Sequence, residues 1–576
     1  MSPRVAIRYE PDERSPPALT LGLGLQLALL IVAIPILIPT AIMRAAGVTD
    51  AYLNWAVYAS VAVCGATTAL QAIRYRRIGS GHVLVMSSAS AFIWLCVEAI
   101  QRGGPALLAT LVAVTALFQF LLSARIALFR RILTPAVSGA VLMLVPVTAM
   151  PVVFGMLTAA PDGSTAAGAT TSAAITVVII VAIALKATGA MRLWAPVIGV
   201  AAGSLVGAFF GLYDIDRIAR APWVGLPELE WPGLDLGFGP DFWSMLPAFL
   251  LVSLIVTLRT ISSYVAIQSV SWRRERAVDF RAVQGTINAE GVSNVLSGLA
   301  GTVPNTTYSI SASLTELTGV AARGIGIATG IVFLFVALLP KALAVVLAIP
   351  GPVVGGYLGV LMAMLFLVGI KVMLQDGLDY RKGLIVCIAF WIGIGFQNGM
   401  IFPELVSEFA GGLFANAMTT GGLAAIFMTV FVEMFDSRRS RMEAELDLSS
   451  LPQIQEFLRA FATQSGWEGA MGDRLEAVGE EALLSLVGPE AGDEGPGRRL
   501  RLVAYRRNGN AVLEFAVAPI GQNIQDRLAL MRNAADEPSL EQEASLQLLR
   551  HLASSVRHQQ YHDVDIVTVH VKAPAQ

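Results

Sequence analysis

The stretch Glu290–Gly319, EGVSNVLSGLAGTVPNTTYSISASLTELTG, decides how this chain is read. It is too apolar for a soluble loop and too interrupted by Gly, Pro, Ser and Thr for one uniform membrane helix. Inside a bilayer every backbone N–H and C=O needs a partner, so irregular backbone survives only within protein or beside a watery cavity. Asn305, Thr306, Thr307 and Tyr308 lie at the seam of this break. Such a seam in a many-span protein is where a solute site is expected.

Composition supports a polytopic membrane protein. The chain has 576 residues, 55% of them hydrophobic and only 14% charged, with a mean hydropathy of +0.66. A net charge of −2 argues against a nucleic-acid partner, which requires clustered Lys and Arg. Cys64, Cys96 and Cys387 lie in apolar segments, which argues against a disulfide framework or a thiolate zinc site. His82 is the only histidine before His551. A histidine-rich metal site within the membrane is therefore not expected, nor is any cofactor. No cleavable signal peptide is evident: the first residues are polar and the apolar run that follows is too long.

About 20 apolar residues cross a hydrocarbon core of about 30 Å. Fourteen candidate spans follow, near 19–43, 52–73, 83–100, 105–123, 133–157, 171–187, 193–212, 242–270, 287–300, 308–319, 323–347, 352–374, 383–398 and 414–434. Alternate loops carry the basic residues: Arg74, Arg76 and Arg77; Arg125, Arg130 and Arg131; Lys186 and Arg192; Arg273, Arg274, Arg276 and Arg281; Lys371, Arg381 and Lys382. The opposite loops hold Asp162, then Glu228, Glu230 and Asp235, then Glu404 and Glu408. The positive-inside rule then sets both termini in the cytoplasm of a multi-pass protein of the cell's inner (plasma) membrane.

The two halves share patterns. Ser87–Phe92 in span 3 resembles Ser309–Ser313 in span 10, and Pro135–Gly139 in span 5 resembles Pro352–Gly356 in span 12. The offset is seven spans, an odd number, so the second copy is inverted, an architecture typical of transporters. The alternative is that both pairs are merely small-residue packing surfaces.

At these residues the chain resembles the nucleobase–ascorbate transporter family, which includes uracil and xanthine permeases. The resemblance rests on Leu21–Gln26, Arg131–Gly139, Met150–Gly155, Pro304–Tyr308 and Ile349–Gly356, and extends over about residues 19–434. It implies fourteen spans in core and gate domains as seven-plus-seven inverted repeats, with spans 3 and 10 broken by short strands. It also implies a homodimer and a coupling proton or other ion. By family position the substrate would meet Gln26, Ser90, Phe92, Arg259, Ser263, Asn305, Thr307, Tyr308, Ile310, Ser311 and Ser313. Several of these depart from the family pattern. Arg259 stands where a span 8 carboxylate is usual, Ser263 where some relatives have a histidine, Ile310 where span 10 has Glu or Gln, and Leu27 where a histidine follows Gln26.

Arg259 is the sharpest clue to chemistry, because a charge in mid-span faces a cavity or a partner. Its planar fork of five donors, with the positive ends of two broken helices, suits an anion or a carbonyl-rich solute. Alternatively it pairs with an acid, for which Glu316 and Glu98 are the candidates. Glu316 could also carry coupling protons. Gln26, Phe92 and Tyr308 have packing readings beside their site readings.

Past Asp436 the chain turns polar, and the reading is 437–449 as linker and 450–576 as a small α+β cytoplasmic domain. Helices fit Leu451–Gly466, Met471–Val487 and Leu540–Arg557; strands fit Arg499–Tyr505, Ala511–Val517 and Val564–Val571. The order faintly resembles the ATP-binding fold of anti-sigma serine kinases. The nucleotide motifs are missing: Ser485 follows Glu481 where Asn is usual, and Ala518–Gly521 replaces the Asp-x-Gly loop. A regulatory or docking module with a cytoplasmic partner is expected instead of an ATPase. His551, His558, His562 and His570 fit no strong metal spacing. The chain is thus expected to be no enzyme but a secondary transporter of nucleobases or related heterocycles. The alternatives are an anion transporter on the same architecture, resembling the sulfate permeases, or a non-transporting ligand sensor.

Overall fold

The computed structural model of the chain describes residues 7–126, 134–158, 166–188, 190–274, 276–374, 380–402, 417–436, 439–467, 469–487, 499–507, 509–517, 524–525 and 547–572. It forms two compact units. One comprises Met1–Arg273 and Ala282–Val430; the other comprises Arg274–Arg281 and Phe431–Gln576. Arg130–Leu133, Asp162, Glu404, Glu408 and Ala518–Gly521, named above from the sequence, lie outside the described residues.

The first unit is helical. Its elements are α1 (Pro17–Ile31), α2 (Ile34–Ala46), α3 (Asp50–Ile73), β1 (Val85–Ser88), α4 (Ile93–Ala124), α5 (Pro135–Thr158), α6 (Ala166–Lys186) and α7 (Ala195–Phe209). There follow α8 (Pro240–Ser269), α9 (Phe280–Leu299), β2 (Asn305–Tyr308), α10 (Ile310–Thr318), α11 (Gly324–Ala337), α12 (Pro340–Leu347), α13 (Gly351–Met373), α14 (Tyr380–Gln397) and α15 (Ala417–Asp436). Among the described residues, seven helical stretches are long and apolar enough to cross a membrane. The pair α11–α12, bent by 84° where Pro340 enters, makes an eighth and replaces the single span expected at 323–347. The other expected spans are shorter or more polar helices. The spans expected at 83–100 and 105–123 are β1 followed by two helical stretches that meet at a break at Gly104, whose φ of 75° suits glycine.

Glycines let the long helices meet. A Cβ on Gly65 of α3 would stand 2.8 Å from the Gly330 carbonyl oxygen of α11, and one on Gly330 2.5 Å from that of Gly65. In the pair α5–α13 the contacts are reciprocal. Gly139 near the start of α5 meets Gly369 near the end of α13, and Gly355 near the start of α13 meets Val153 near the end of α5. In both contacts a start meets an end, so α5 and α13 pack antiparallel.

One end of this unit is strapped by the segment before α1. Arg8 N–H donates to the Gly319 carbonyl at 2.7 Å, and Ala321 N–H to the Tyr9 carbonyl at 2.8 Å. The Arg273 guanidinium, just beyond α8, donates to the Ile7 and Arg8 carbonyls and to both carboxyl oxygens of Glu13.

The second unit has its own core. A five-stranded antiparallel sheet runs β3 (Ser440–Glu445), β4 (Arg499–Arg507), β5 (Asn510–Val517), β7 (Asp565–Val571), β6 (Ser555–Gln560). Leu502 pairs with Phe515, and Phe515 with Val567. These side chains bury against Ile454 and Leu458 of α16 (Leu451–Gln464) and Leu475 and Leu483 of α17 (Ala470–Val487). Two expectations change here. The stretch read as linker contains β3, and the helix read over Leu540–Arg557 is helical at 547–552 and then becomes β6. Its earlier part, 540–546, lies outside the described residues.

Candidate functional site

Two four-residue strands lie in the middle of the first unit. β1 and β2 pair antiparallel, with Val85 opposite Tyr308 and Ser88 opposite Asn305. All eight residues are buried. Each short strand supplies the other's missing backbone partners, which is how extended chain survives at membrane depth. Beyond them α4 and α10 begin, so two helix N-termini with their free N–H groups arise beside the ladder. The expected breaks in spans 3 and 10 are therefore present.

Three helices complete the surroundings. From α8, Thr260 Oγ1 accepts a hydrogen bond from Thr307 Oγ1 at 3.0 Å and lies 3.4 Å from Thr306 Oγ1. The neighbouring Arg259 stands over the Tyr308 ring, 4.7 Å from its centroid. The Tyr308 hydroxyl in turn donates to the Ser88 carbonyl at 2.8 Å. From α9, Glu290 is fully buried. Among the described residues no donor reaches either of its carboxyl oxygens with hydrogen-bond geometry, although Thr260, Thr306 and Arg259 are its polar neighbours. A buried carboxyl without donors is costly to keep. Its persistence here points to use.

The sequence-derived residues divide. Arg259, Thr307 and Tyr308 come together as described, and Ser90 lies beside the Tyr308 hydroxyl. Ser263 is buried one turn beyond Arg259 on α8. Ser311 is buried at the start of α10 with an unpartnered hydroxyl, while Ile310 and Ser313 are half-buried there. Phe92 packs on Phe249, ring centroids 5.6 Å apart, as its packing reading has it. Gln26 is half-buried on α1, and among the described residues no hydrogen bond ties it to the site.

Asn305 is committed to scaffolding. Its amide donates to Ser293 and Ser297 of α9 at 3.1 and 3.0 Å, and its backbone N–H donates to Asn294 Oδ1 at 2.6 Å. The carboxylates proposed as partners of Arg259 are elsewhere. Glu316 is exposed on α10, and Glu98 pairs with Arg102 at 2.6 Å. Among the described residues no carboxylate forms an ion pair with Arg259. The residue that sequence reasoning passed over is Glu290. Its signal was present: it is the only Asp, Glu, Lys or Arg between Arg281 and Glu316, and an ionisable residue inside a span marks function by default.

The arrangement suits a flat, polar ring. Arg259 offers N–H donors, Glu290 acceptors, and the threonine hydroxyls either role. Such a set matches a heterocycle whose edge alternates carbonyl and N–H groups. Among the described residues no group of His, Cys, Asp and Glu could hold a metal ion.

Known proteins bear on this arrangement. The chain is 27% identical over 421 residues to the uric acid permease PucK of Bacillus subtilis, covering 71% of this chain and 95% of that one. It is 25% identical over 446 residues to the xanthine permease XanQ of Escherichia coli, covering 74% and 93%. Among solved structures it resembles the transmembrane domain of the cyanobacterial bicarbonate transporter BicA, with a TM-score of 0.44 and 17% identity over 74% of this chain and 100% of that one. The profile of the permease family of xanthine and uracil carriers matches residues 19–402, and the chain belongs to that family, the nucleobase–ascorbate transporters.

Proposed function

We propose that this chain is a permease, not an enzyme, and that it moves oxidised purines of the xanthine and urate kind across a membrane. The relatives named above as uric acid and xanthine permeases support the substrate class. The observation that carries the reading is the placement of Arg259 and the buried Glu290, which are neighbours but not ion-paired, beside the β1–β2 ladder. An oxopurine presents carbonyl oxygens to the first and ring N–H groups to the second. Burial of Glu290 favours it over the exposed Glu316 as the carrier of a coupling proton. A homodimer, cytoplasmic termini, an inner-membrane location and a cytoplasmic partner of the second unit belong to the same proposal.

The test is uptake by proteoliposomes. Labelled xanthine, urate and uracil are offered with and without an imposed pH gradient, and bicarbonate and sulfate serve as competitors. Saturable oxopurine uptake lost in both Arg259→Gln and Glu290→Gln supports the reading. Flux of the inorganic anions alone, or oxopurine binding without flux, would overturn it in favour of an anion carrier or a sensor respectively.

A further inference from the structure

The first unit has a cavity apart from the ladder. Its volume is about 640 Å³, and Arg44, Trp94, Gln101, Met156, Asp214 and Ile349, among others, line it. It lies at the end of the unit opposite the strap, because α1 and α2 run away from the strap toward Arg44. None of Arg259, Glu290, Thr307 or Tyr308 lines it. It nevertheless leads toward them. Trp94 is two residues past Phe92 and Gln101 is seven further on, so along α4 the cavity wall spans about 10 Å from near the ladder outward.

Arg44 donates to the Leu347 and Ile349 carbonyls at 2.5 and 3.3 Å, which use part of its fork; Arg217, Asp50 and Asp214 are the charges near it. Among the described residues no carboxylate forms an ion pair with it. Asp214, the acid on the wall, is committed otherwise: its Oδ1 accepts the Arg217 N–H at 2.9 Å and caps the short helix Ile215–Arg220. Arg217 is held by Asn54 at 2.8 Å and by Asp50 at 3.5 Å. The wall thus offers a guanidinium held in no ion pair, the amide of Gln101, and the half-buried ring of Trp94.

We propose that this cavity is an antechamber that gathers a planar heterocyclic anion, an oxopurine monoanion, before it reaches the central site. Trp94 provides a flat apolar wall, and Arg44 with Gln101 provides donors for ring oxygens. A single buried-side cation raises the local concentration of an anion and speeds its entry. The inference rests on the oxopurine reading above and adds ligand charge and an entry step to it.

The experiment is urate uptake at neutral pH by wild type, Arg44→Gln, Arg44→Lys and Trp94→Leu in proteoliposomes at low and high salt. The expected result is a KM raised about tenfold in Arg44→Gln, the effect of losing one charge-assisted contact, with the loss falling on KM and with the salt dependence of KM flattened. Arg44→Lys keeps the charge and is expected near wild type, which separates charge from the capping of the Leu347 and Ile349 carbonyls. Trp94→Leu tests the same wall if Arg44→Gln does not fold, with a raised KM expected. Wild-type urate uptake with KM unchanged in Arg44→Gln, or in Trp94→Leu where that variant stands in, would refute the antechamber alone. A wild type that takes up no oxopurine at all overturns the permease reading and the antechamber with it.

Discussion

At the scale of single residues, Glu290 and Asn305 are both buried and polar, yet they do opposite things. Every polar group of Asn305 that binds α9 is satisfied, and loss of its side-chain amide leaves Ser293 and Ser297 short of a partner. Asn305→Ala is expected to lower stability by about 2–4 kcal/mol, read as a fall in melting temperature in detergent and in protein yield. Glu290 has no hydrogen-bond donors to lose. Glu290→Gln is therefore expected to keep or raise the melting temperature by the equivalent of about 1–2 kcal/mol while abolishing uptake. A destabilised Glu290→Gln would contradict this. The contrast explains what the sequence could tell. Arg259 stood out as a mid-span charge, and its position over Tyr308 confirms that it faces the ladder. Glu316 was attractive only by proximity in sequence. The buried face of α10 is Ser311, Ala312, Leu314 and Thr315, and helical spacing sets Glu316 off that stripe. Burial of Glu290 depends on how α9 packs, which a linear reading does not supply.

At the scale of elements, two devices hold the first unit together, and they answer to different perturbations. The approach of α3 and α11 leaves no room for a side chain at Gly65 or Gly330. Gly330→Leu is expected to force the helices apart and cost more than about 3 kcal/mol, seen as loss of a monodisperse peak on size exclusion. The strap is electrostatic. The Glu13 carboxyl is held below its ordinary value, first by the hydrogen bond from Arg273 and then by the Glu10 N–H. A carboxyl depressed in the folded state contributes stability above the ordinary carboxylate range, and that contribution fades as pH falls through it. The pair is solvent-exposed, so the effect is modest and salt-sensitive. Amide exchange at Ala321, whose N–H is bound by Tyr9, is expected to quicken as pH drops into that range, and Arg273→Gln should remove the pH dependence. Exchange at Ala321 that ignores both changes would show that the strap is held by its backbone bonds alone. Hydropathy revealed the long helices because an apolar run has a length. It did not reveal the strap, whose polar residues meet partners about 260 to 310 positions away in the chain.

At the scale of the whole molecule, the chain joins two units with different physical logic. Small residues and a two-stranded ladder organise the first; an amphipathic sheet-and-helix core organises the second, with Leu502, Phe515 and Val567 on one face of the sheet. The alternation of β4 and β5 was legible because a strand with one buried face repeats every two residues. β3 was not, since Ser-Arg-Met-Glu-Ala-Glu is charged on its outer face and reads as linker until its pairing with β4 is known. β6 was absorbed into the preceding helix for a similar reason: Ser-Val-Arg-His-Gln-Gln carries little apolar signal. A unit with a contiguous core of its own should fold without the membrane part. Residues 437–576, expressed alone, are expected to be soluble and to unfold in one cooperative transition by circular dichroism. The complementary chain 1–436 is expected to keep oxopurine uptake within about threefold of the full protein, because the ladder, Arg259 and Glu290 all lie within it. A shift in KM or in pH dependence on truncation, with uptake retained, would mark the second unit as a regulator. Complete loss of uptake in a stable, monodisperse 1–436 would mean instead that transport requires the second unit.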